Sequence, residues 1–474
     1  LLHLRAGGKG MLLSPVHMIG LLVTLTAVTV TGLYAARKVR NAADFAVGGH
    51  KSGVTMIAGT IIGTIIGGAS TVGTAQLAFT VGLSAWWFTL GTGIALLVMG
   101  LFYAAPLRKS NLQTMPQYLA ISYGPLAGPL TSLASSIGIF FSIVSSILAA
   151  VPIISAIFQI DAAYAAGIVF FLIVVYVFFG GVWGTGLIGT LKTVLIYITL
   201  VAVGALTYTG MGGVTGFLQA FPADPWLNLV GRGLWADLGS ALSLLVGTIS
   251  TQTYIQAIYA ARDIQAARRG AVVAALITLP AGIPAVMAGM YMRVHHPTIA
   301  PIDALPLFIL YYLPPWLGGV AIAALLLAAI GSAAGLALGV ATMLSRDILS
   351  EVWGISGDRR LLWANRIAVL GVTLLATLFT FGNLKSLVLE WNFLSMGLRG
   401  AGIFLPLTAA VFWPGRIGPA YAIWSMAGGA GAALLWKILF PSGIDPLYAG
   451  LGVNALMLAA GAVARQPGKM AGEP

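Results

Sequence analysis

The chain has no cysteine and few charges, and acids are the scarcer sign: 12 Asp and Glu against 24 Lys and Arg in 474 residues. Without thiols there are no disulfides and no thiolate metal sites, and the redox compartment stays open. Only 8% of residues are charged while 59% are hydrophobic, too little polarity to cover a water-soluble globule of this size. The formal charge of +12 is scattered through short loops and forms no patch, so a lipid bilayer explains it and no nucleic-acid partner is expected. The apolar stretches hold no paired carboxylates, histidine cluster or nucleophile and base, which argues against an enzyme and against any cofactor beyond a coupling ion.

What is present is a series of apolar runs long enough to cross a hydrocarbon core of roughly 30 Å at about 1.5 Å per residue. Charges, Pro and Gly bound them at 14–36, 53–80, 82–106, 124–156, 161–180, 184–208, 235–259, 270–293, 317–345, 364–382, 386–413, 418–440 and 446–465. This predicts an all-α integral membrane protein of about thirteen transmembrane helices, enough to work as a monomer. Residues 1–13 form a polar N-terminal tail, and 14–36 is a retained leading helix because no signal-peptide cleavage pattern is seen. With the loop 37–51 inside, sixteen basic residues fall in inner loops and six in outer ones. That excess predicts a multi-pass protein of the cell (inner) membrane, N-terminus outside and C-terminus cytoplasmic, with 466–474 as a cytoplasmic tail. Lys192 and Arg399 belong to neither set of loops.

The second span reads "GTIIGTIIGGASTVGTAQ", where Gly67-Gly68 followed by Ser70, Thr71 and Thr74 suits a broken helix better than a continuous lipid-facing one. Such backbone is tolerated at mid-membrane only where it lines a cavity or is buried in protein. Five spans later "SLLVGTISTQTYIQ" repeats the theme with Gly247, Ser250, Thr251, Gln252 and Gln256. Two interrupted spans at matching positions predict a five-plus-five inverted repeat, at 53–208 and 235–413, with one leading helix and two trailing helices at 418–465. Glycine-mediated helix packing is the structural alternative for either segment.

Five stretches together resemble the sodium:solute symporter family, which includes bacterial proline, sialic acid and sugar symporters. They are "DFAVGGHKSG", "GGASTVGTAQLAFTVGLSAWW", "FFGGVWGTGLIGTLK", "YAARDIQAARRG" and "GSAAGLALGVATMLSRDI". The resemblance spans nearly the whole chain and implies a fold of the leucine-transporter type, with a small-molecule solute held between the broken helices and sodium as the usual coupling ion. It also implies a central sodium site made of first-core-helix carbonyls, here Gly63 and Ile66, and a hydroxyl pair in the eighth. Ser332 keeps one hydroxyl, and Gly331 stands where the other is expected. In the fifth core helix the family's Thr-Asp and following Gln fall on Ile188-Gly189 and Lys192. A carboxylate is gone and a cation has arrived.

A lysine in mid-membrane costs about 2.5 to 3.5 kcal/mol on the insertion scale and calls for a partner. Three readings stay open. Its ammonium sits where sodium would, on Gly63, Ile66 and Ser332 with room left by Gly331, and coupling is to protons or absent, because burial favours the neutral lysine a proton carrier needs. Alternatively it snorkels to the headgroups of an ordinary sodium symporter, leaving sodium on Gly63, Ile66 and Ser332. Or it is a counter-ion for an anionic solute. Arg399, in "EWNFLSMGLRGAGIFLP", either clamps a carboxylate or phosphate or satisfies carbonyls at the neighbouring kink.

Gly67, Gly68, Ser70, Thr71, Gln76, Thr251, Gln252 and Gln256 are expected to face the solute, since uncharged donors and acceptors at helix breaks suit a polar molecule. Trp87 and Trp391 are candidate gates, although tryptophans also gather at membrane interfaces. The function expected is import of a small polar or anionic organic solute by alternating access. A membrane sensor acting through a partner protein is the alternative of another class, with fewer than ten residues after the last predicted span.

Overall fold

The computed structural model describes residues 13–36, 50–440 and 443–464, so the tails at 1–12 and 466–474 and the loop arginines 37 and 40 lie outside the described residues. Secondary structure there is helical apart from one parallel bridge, Ser52 to Ala261. Ten helical stretches among the described residues are long and apolar enough to cross a membrane.

In chain order the helices used below are α1 (Pro15–Ala36), α2 (Val54–Ile65), α3 (Thr74–Val81), α4 (Trp87–Val98), α5 (Met115–Tyr123), α6 (Ala127–Phe158) and α7 (Ala162–Met211). They continue as α8 (Leu234–Ile249), α9 (Gln252–Tyr259), α10 (Ile264–His295), α11 (Pro315–Met343), α12 (Asp358–Phe381), α13 (Val388–Arg399), α14 (Pro419–Leu439) and α15 (Pro446–Ala464).

Both expected breaks occur. α2 stops at Ile66, whose ψ of 85° leaves the helical region, and the chain resumes through a π-helical turn at Ala69–Gly73 into α3. α8 stops at Ser250, Thr251 is extended (φ −94°, ψ 117°), and α9 begins at Gln252. α11 lies at the centre, 94% buried over its most apolar window, and its Ala and Gly content lets α6, α7 and α1 pack closely around it.

One expectation is corrected. The spans predicted at 161–180 and 184–208 are a single helix of 50 residues, α7, about 75 Å long at 1.5 Å per residue. The glycines at 180, 181, 184 and 186 lower helix propensity but keep their N–H groups. No proline between 162 and 211 removes a donor from the ladder, so nothing in the sequence forces a turn.

Two ends of the bundle are distinguished by charge. At the basic end, Arg108 Nε donates to the Ala261 carbonyl (2.6 Å), beside Arg262. The opposite end carries Arg232, which pairs with buried Asp237 in the first turn of α8 (2.7 Å).

Candidate functional site

Two buried cations flank the breaks. Lys192, on α7, is 1% exposed. Its ammonium donates to the Gly63 carbonyl on α2, to the Ala328 carbonyl on α11 (3.2 Å) and to Ser332 Oγ (3.4 Å). The glycine opposite explains how α7 comes this close: a Cβ on Gly63 would stand 2.7 Å from Gly189 Cα, so the two backbones touch one turn from the lysine. A Cβ on Gly331 would stand 3.2 Å from both Lys192 Nζ and Tyr176 Oη, so the missing hydroxyl position is the space the lysine uses.

This geometry removes the snorkelling reading, which needs an exposed side chain. It also corrects the ligand set, because Ile66 is not among the acceptors of the ammonium and Ala328 is. Ile66 sits where α2 unwinds, with its N–H still bonded to Ile62 (2.7 Å), whereas Ala328 lies one turn before Ser332 on the helix facing the lysine. Nothing in the sequence marks Ala328, since a backbone carbonyl acceptor leaves no residue signature.

Arg399, at the end of α13, is fully buried. Its Nε donates to the Ser395 carbonyl (3.1 Å) and its Nη1 to Thr251 Oγ1 at the second break (2.6 Å). Nη2 meets Ser142 Oγ on α6 (3.1 Å), Ser395 Oγ (2.9 Å) and Met396 Sδ (3.2 Å). Among the described residues the ion pairs are Arg232 with Asp237 and Arg262 with Asp263, so neither Lys192 nor Arg399 has a carboxylate partner.

At the first break lies a small cavity of about 20 Å³, room for about one water. Gly67 and Gly68 of the first break line it with Ser142 and Ser146 of α6, Tyr254 of α9, Ser332 of α11 and Asn392 of α13. Ser332 touches Lys192 and Ser142 touches Arg399, so the cavity borders both networks.

Several residues expected to face the solute have other work. Ser70 donates to the Gly67 carbonyl (3.0 Å) and accepts from the Gly67 N–H (2.9 Å), and Thr71 donates to the same carbonyl (2.7 Å). These hydroxyls satisfy backbone that the break leaves without helical partners. Thr251 donates to Gly247 (2.6 Å) and faces Arg399. Gln76 ties the two halves together at the opposite end, accepting from Val388 N–H (2.9 Å). Gln252 and Gln256 lie toward the basic end: Gln252 accepts from Met115 N–H (2.9 Å), and Gln256 reaches Thr342 (3.5 Å). Gln252 opens α9 directly after the break but its side chain turns to α5, and Gln256 lies one turn further on; neither lines the cavity.

Trp87 donates to the Leu229 carbonyl (2.7 Å) and Trp391 to Ser386 Oγ (2.6 Å), with the Trp391 ring stacked on Phe141 at 5.7 Å. Both sit at the end held by Gln76, outside the cavity wall. Asp347, which sequence reasoning passed over, is buried at the basic end of α11's continuation and accepts from Thr114 (2.7 Å) and Ser132 (2.9 Å).

A family model, the Sodium:solute symporter family, matches residues 45–429. The chain belongs to that family. The family is one of membrane transporters and not of enzymes, and the all-helical fold is shared with solved transporters. A Na+-coupled sialic acid symporter in a substrate-bound outward-open state superposes with a TM-score of 0.80 at 18% identity, covering 95% of this chain and 97% of that one. Mhp1, a nucleobase-cation-symport-1 family transporter in a closed conformation, gives 0.59 at 12% identity, over 91% and 98%.

Among sequences of this family, the high affinity choline transporter 1 of Homo sapiens is 25% identical over 379 residues, 74% of this chain and 65% of that protein. The Drosophila melanogaster choline transporter is 24% identical over 369 residues, 74% and 60%. The chain thus spans 60 to 65% of the length of these two relatives. An osmoregulated proline transporter of Bacillus subtilis is 23% identical over 438 residues, 88% of each.

Proposed function

We propose that the chain is a secondary active transporter that imports a small polar or anionic organic solute by alternating access, with the Lys192 ammonium in the place of the family's central sodium. Coupling is then to protons or independent of sodium. One observation carries the reading: the ammonium is bonded to Gly63, Ala328 and Ser332, a cage of backbone and hydroxyl oxygens joining the first break to α11. A hard cation such as sodium wants such oxygens, and a lysine that fills them supplies one positive charge in place of another.

Membership of the symporter family and the transporter fold support the coarser part, solute movement driven by a cation. The cavity between the breaks supports alternating access around a central site. Lipid bilayer and solute are the partners, one copy suffices, and the basic end is the cytoplasmic one, which puts the N-terminus outside.

The test needs no solute. Thermal stability of the purified protein is compared in NaCl and equal KCl from about pH 5 to about pH 9, for the natural chain and Lys192→Ala. A ligand that binds only the folded state raises stability by mass action. The reading expects no sodium-specific rise and a pH response that depends on Lys192. A saturable stabilisation of the natural chain by sodium would overturn it.

A further inference from the structure

We infer that a groove at the start of α12 holds the headgroup of an anionic phospholipid, with its phosphate on Arg359 and Arg360 and its acyl chains along the exposed face of the same helix. The inference needs membrane embedding alone and is independent of which solute or ion the protein moves.

The local fold makes the groove. After Met343 the chain continues through a π-helical turn at Leu344–Ser350 and then folds back: the Ile355 N–H donates to the Leu349 carbonyl (2.9 Å), and Gly357 takes φ 101°, which glycine adopts without steric cost. α12 starts at the next residue. Between this loop and the first turns of α12, at the basic end, lies an open groove of about 860 Å³ lined by Ile355, Ser356, Arg359, Arg360, Trp363 and Ile367.

Charge sets the sign of the occupant. Arg359 and Arg360 are exposed and make no hydrogen bond or ion pair among the described residues. Residues 351–370 carry three arginines against two acids, and one of those acids, Glu351, lines a different groove with Pro116 and Asp347. Guanidinium groups match phosphate oxygens in charge and in geometry. A choline headgroup would bring its own cation beside them, whereas a glycerol headgroup brings only hydroxyls.

Size and surroundings decide between a lipid and a soluble anion. Inorganic phosphate would leave most of the groove empty. Trp363 in the groove and Trp353 in the loop before it are 48% and 68% exposed, and tryptophan gathers at headgroup level. Ile367, Leu370 and Leu374 follow Trp363 at helical spacing, and all three are exposed. From Arg360 to Leu374 the helix rises about 21 Å, the depth of one leaflet with its headgroups. Basic, then aromatic, then aliphatic surface is the order in which an anionic phospholipid presents its parts. A soluble anion would use only the first.

The experiment follows the thermal stability of the purified full chain in dodecyl maltoside at constant ionic strength, titrated with dioleoylphosphatidylglycerol, dioleoylphosphatidylcholine or glycerol phosphate. Phosphatidylglycerol is expected to stabilise saturably and several-fold more strongly than phosphatidylcholine, with no effect of glycerol phosphate at the same concentrations. Arg359→Gln/Arg360→Gln should weaken the phosphatidylglycerol effect about tenfold, a few-fold for each arginine. Arg268→Gln/Arg269→Gln removes the same charge from exposed positions at the start of α10 and should change it less than about twofold, because exposed charges are screened beyond a Debye length of about 10 Å. All four arginines are exposed, so neither double variant threatens the fold. Equal effects of the two lipids overturn the inference, as does glycerol phosphate matching phosphatidylglycerol, which would make this a soluble-anion site. Equal losses in the two double variants would overturn it as well, by reducing the preference to diffuse surface charge.

Discussion

The ammonium of Lys192 and the carbonyl of Gly63 are bonded to each other across the α7–α2 contact, at the turn where α2 prepares to unwind. A charge on one helix is thereby fixed beside the break of another. The first prediction asks whether the lysine alone separates this site from a sodium site. Gly331→Ser by itself should destabilise, because its Cβ would come 3.2 Å from Lys192 Nζ and Tyr176 Oη. The double variant Lys192→Ala/Gly331→Ser vacates that space and supplies the second hydroxyl beside Ser332. It should gain a sodium-specific stabilisation of about 2.7 kcal/mol when sodium reaches roughly 100 times Kd. Equal melting in NaCl and KCl would show that the two positions do not suffice.

Gln76 should hold the end opposite the basic one shut. Its side-chain oxygen accepts from Val388 N–H at 2.9 Å, joining α3 to the start of α13. Gln76→Ala removes the tie and leaves that N–H without its partner. Because the chain has no cysteine, Ser146→Cys on the cavity wall is a clean reporter. Labelling by a membrane-impermeant maleimide should rise several-fold in the Gln76→Ala background, and an unchanged rate would place the closing contact elsewhere.

How much of this was legible in the sequence depends on the kind of interaction. Broken helices announce themselves because Gly with nearby Ser and Thr is poorly suited to a continuous lipid-facing helix and supplies hydroxyls for the freed backbone, and the breaks lie at Ile66–Gly68 and Ser250-Thr251. The two buried cations were equally visible, since mid-membrane charge is rare enough to be informative. Direction was not. Ser70 and Thr71 turn back to serve Gly67, and Gln76 and Gln256 reach across to other helices. Spacing gives the face of a helix but not the acceptor a side chain finds. The continuity of α7 is not legible for a simpler reason: a glycine cluster marks a turn and a tolerated helical stretch alike, and no proline between 162 and 211 decides between them.

Asp347 should be a structural clamp at the basic end. Its two oxygens accept from Thr114, which caps α5, and from Ser132 on α6, so one carboxyl holds three helical segments. Asp347→Leu leaves both buried hydroxyls without acceptors, at about 1 to 3 kcal/mol for each unsatisfied group. The variant should melt earlier and should label faster at a cysteine placed at Thr342, which lies on the same side of the cavity. A loss of stability without faster labelling would make Asp347 a folding residue only.

The pH response needs one more partition, because a histidine at the opposite end titrates in the same range. His296 follows α10, its Nε2 lies 2.9 Å from Tyr312 Oη, and partial burial, with His295 adjacent, lowers its pKa from the ordinary 6.5. A base held below its unfolded value contributes stability that is fully present above that value and is lost as pH falls through the folded one. The natural chain should therefore lose stability from about pH 6.5 downward through this group, and His296→Gln should flatten that limb. Asp263 does not compete: its carboxyl is held below the usual range by the Ala266 N–H it caps, so its contribution is lost only under more acidic conditions. Melting curves across the range, for His296→Gln with and without Lys192→Ala, divide the response between the two groups. A slope that survives His296→Gln and vanishes with Lys192→Ala belongs to the lysine. One that vanishes with His296→Gln alone belongs to the loop, and the proton-coupled form of the transport reading then loses its support.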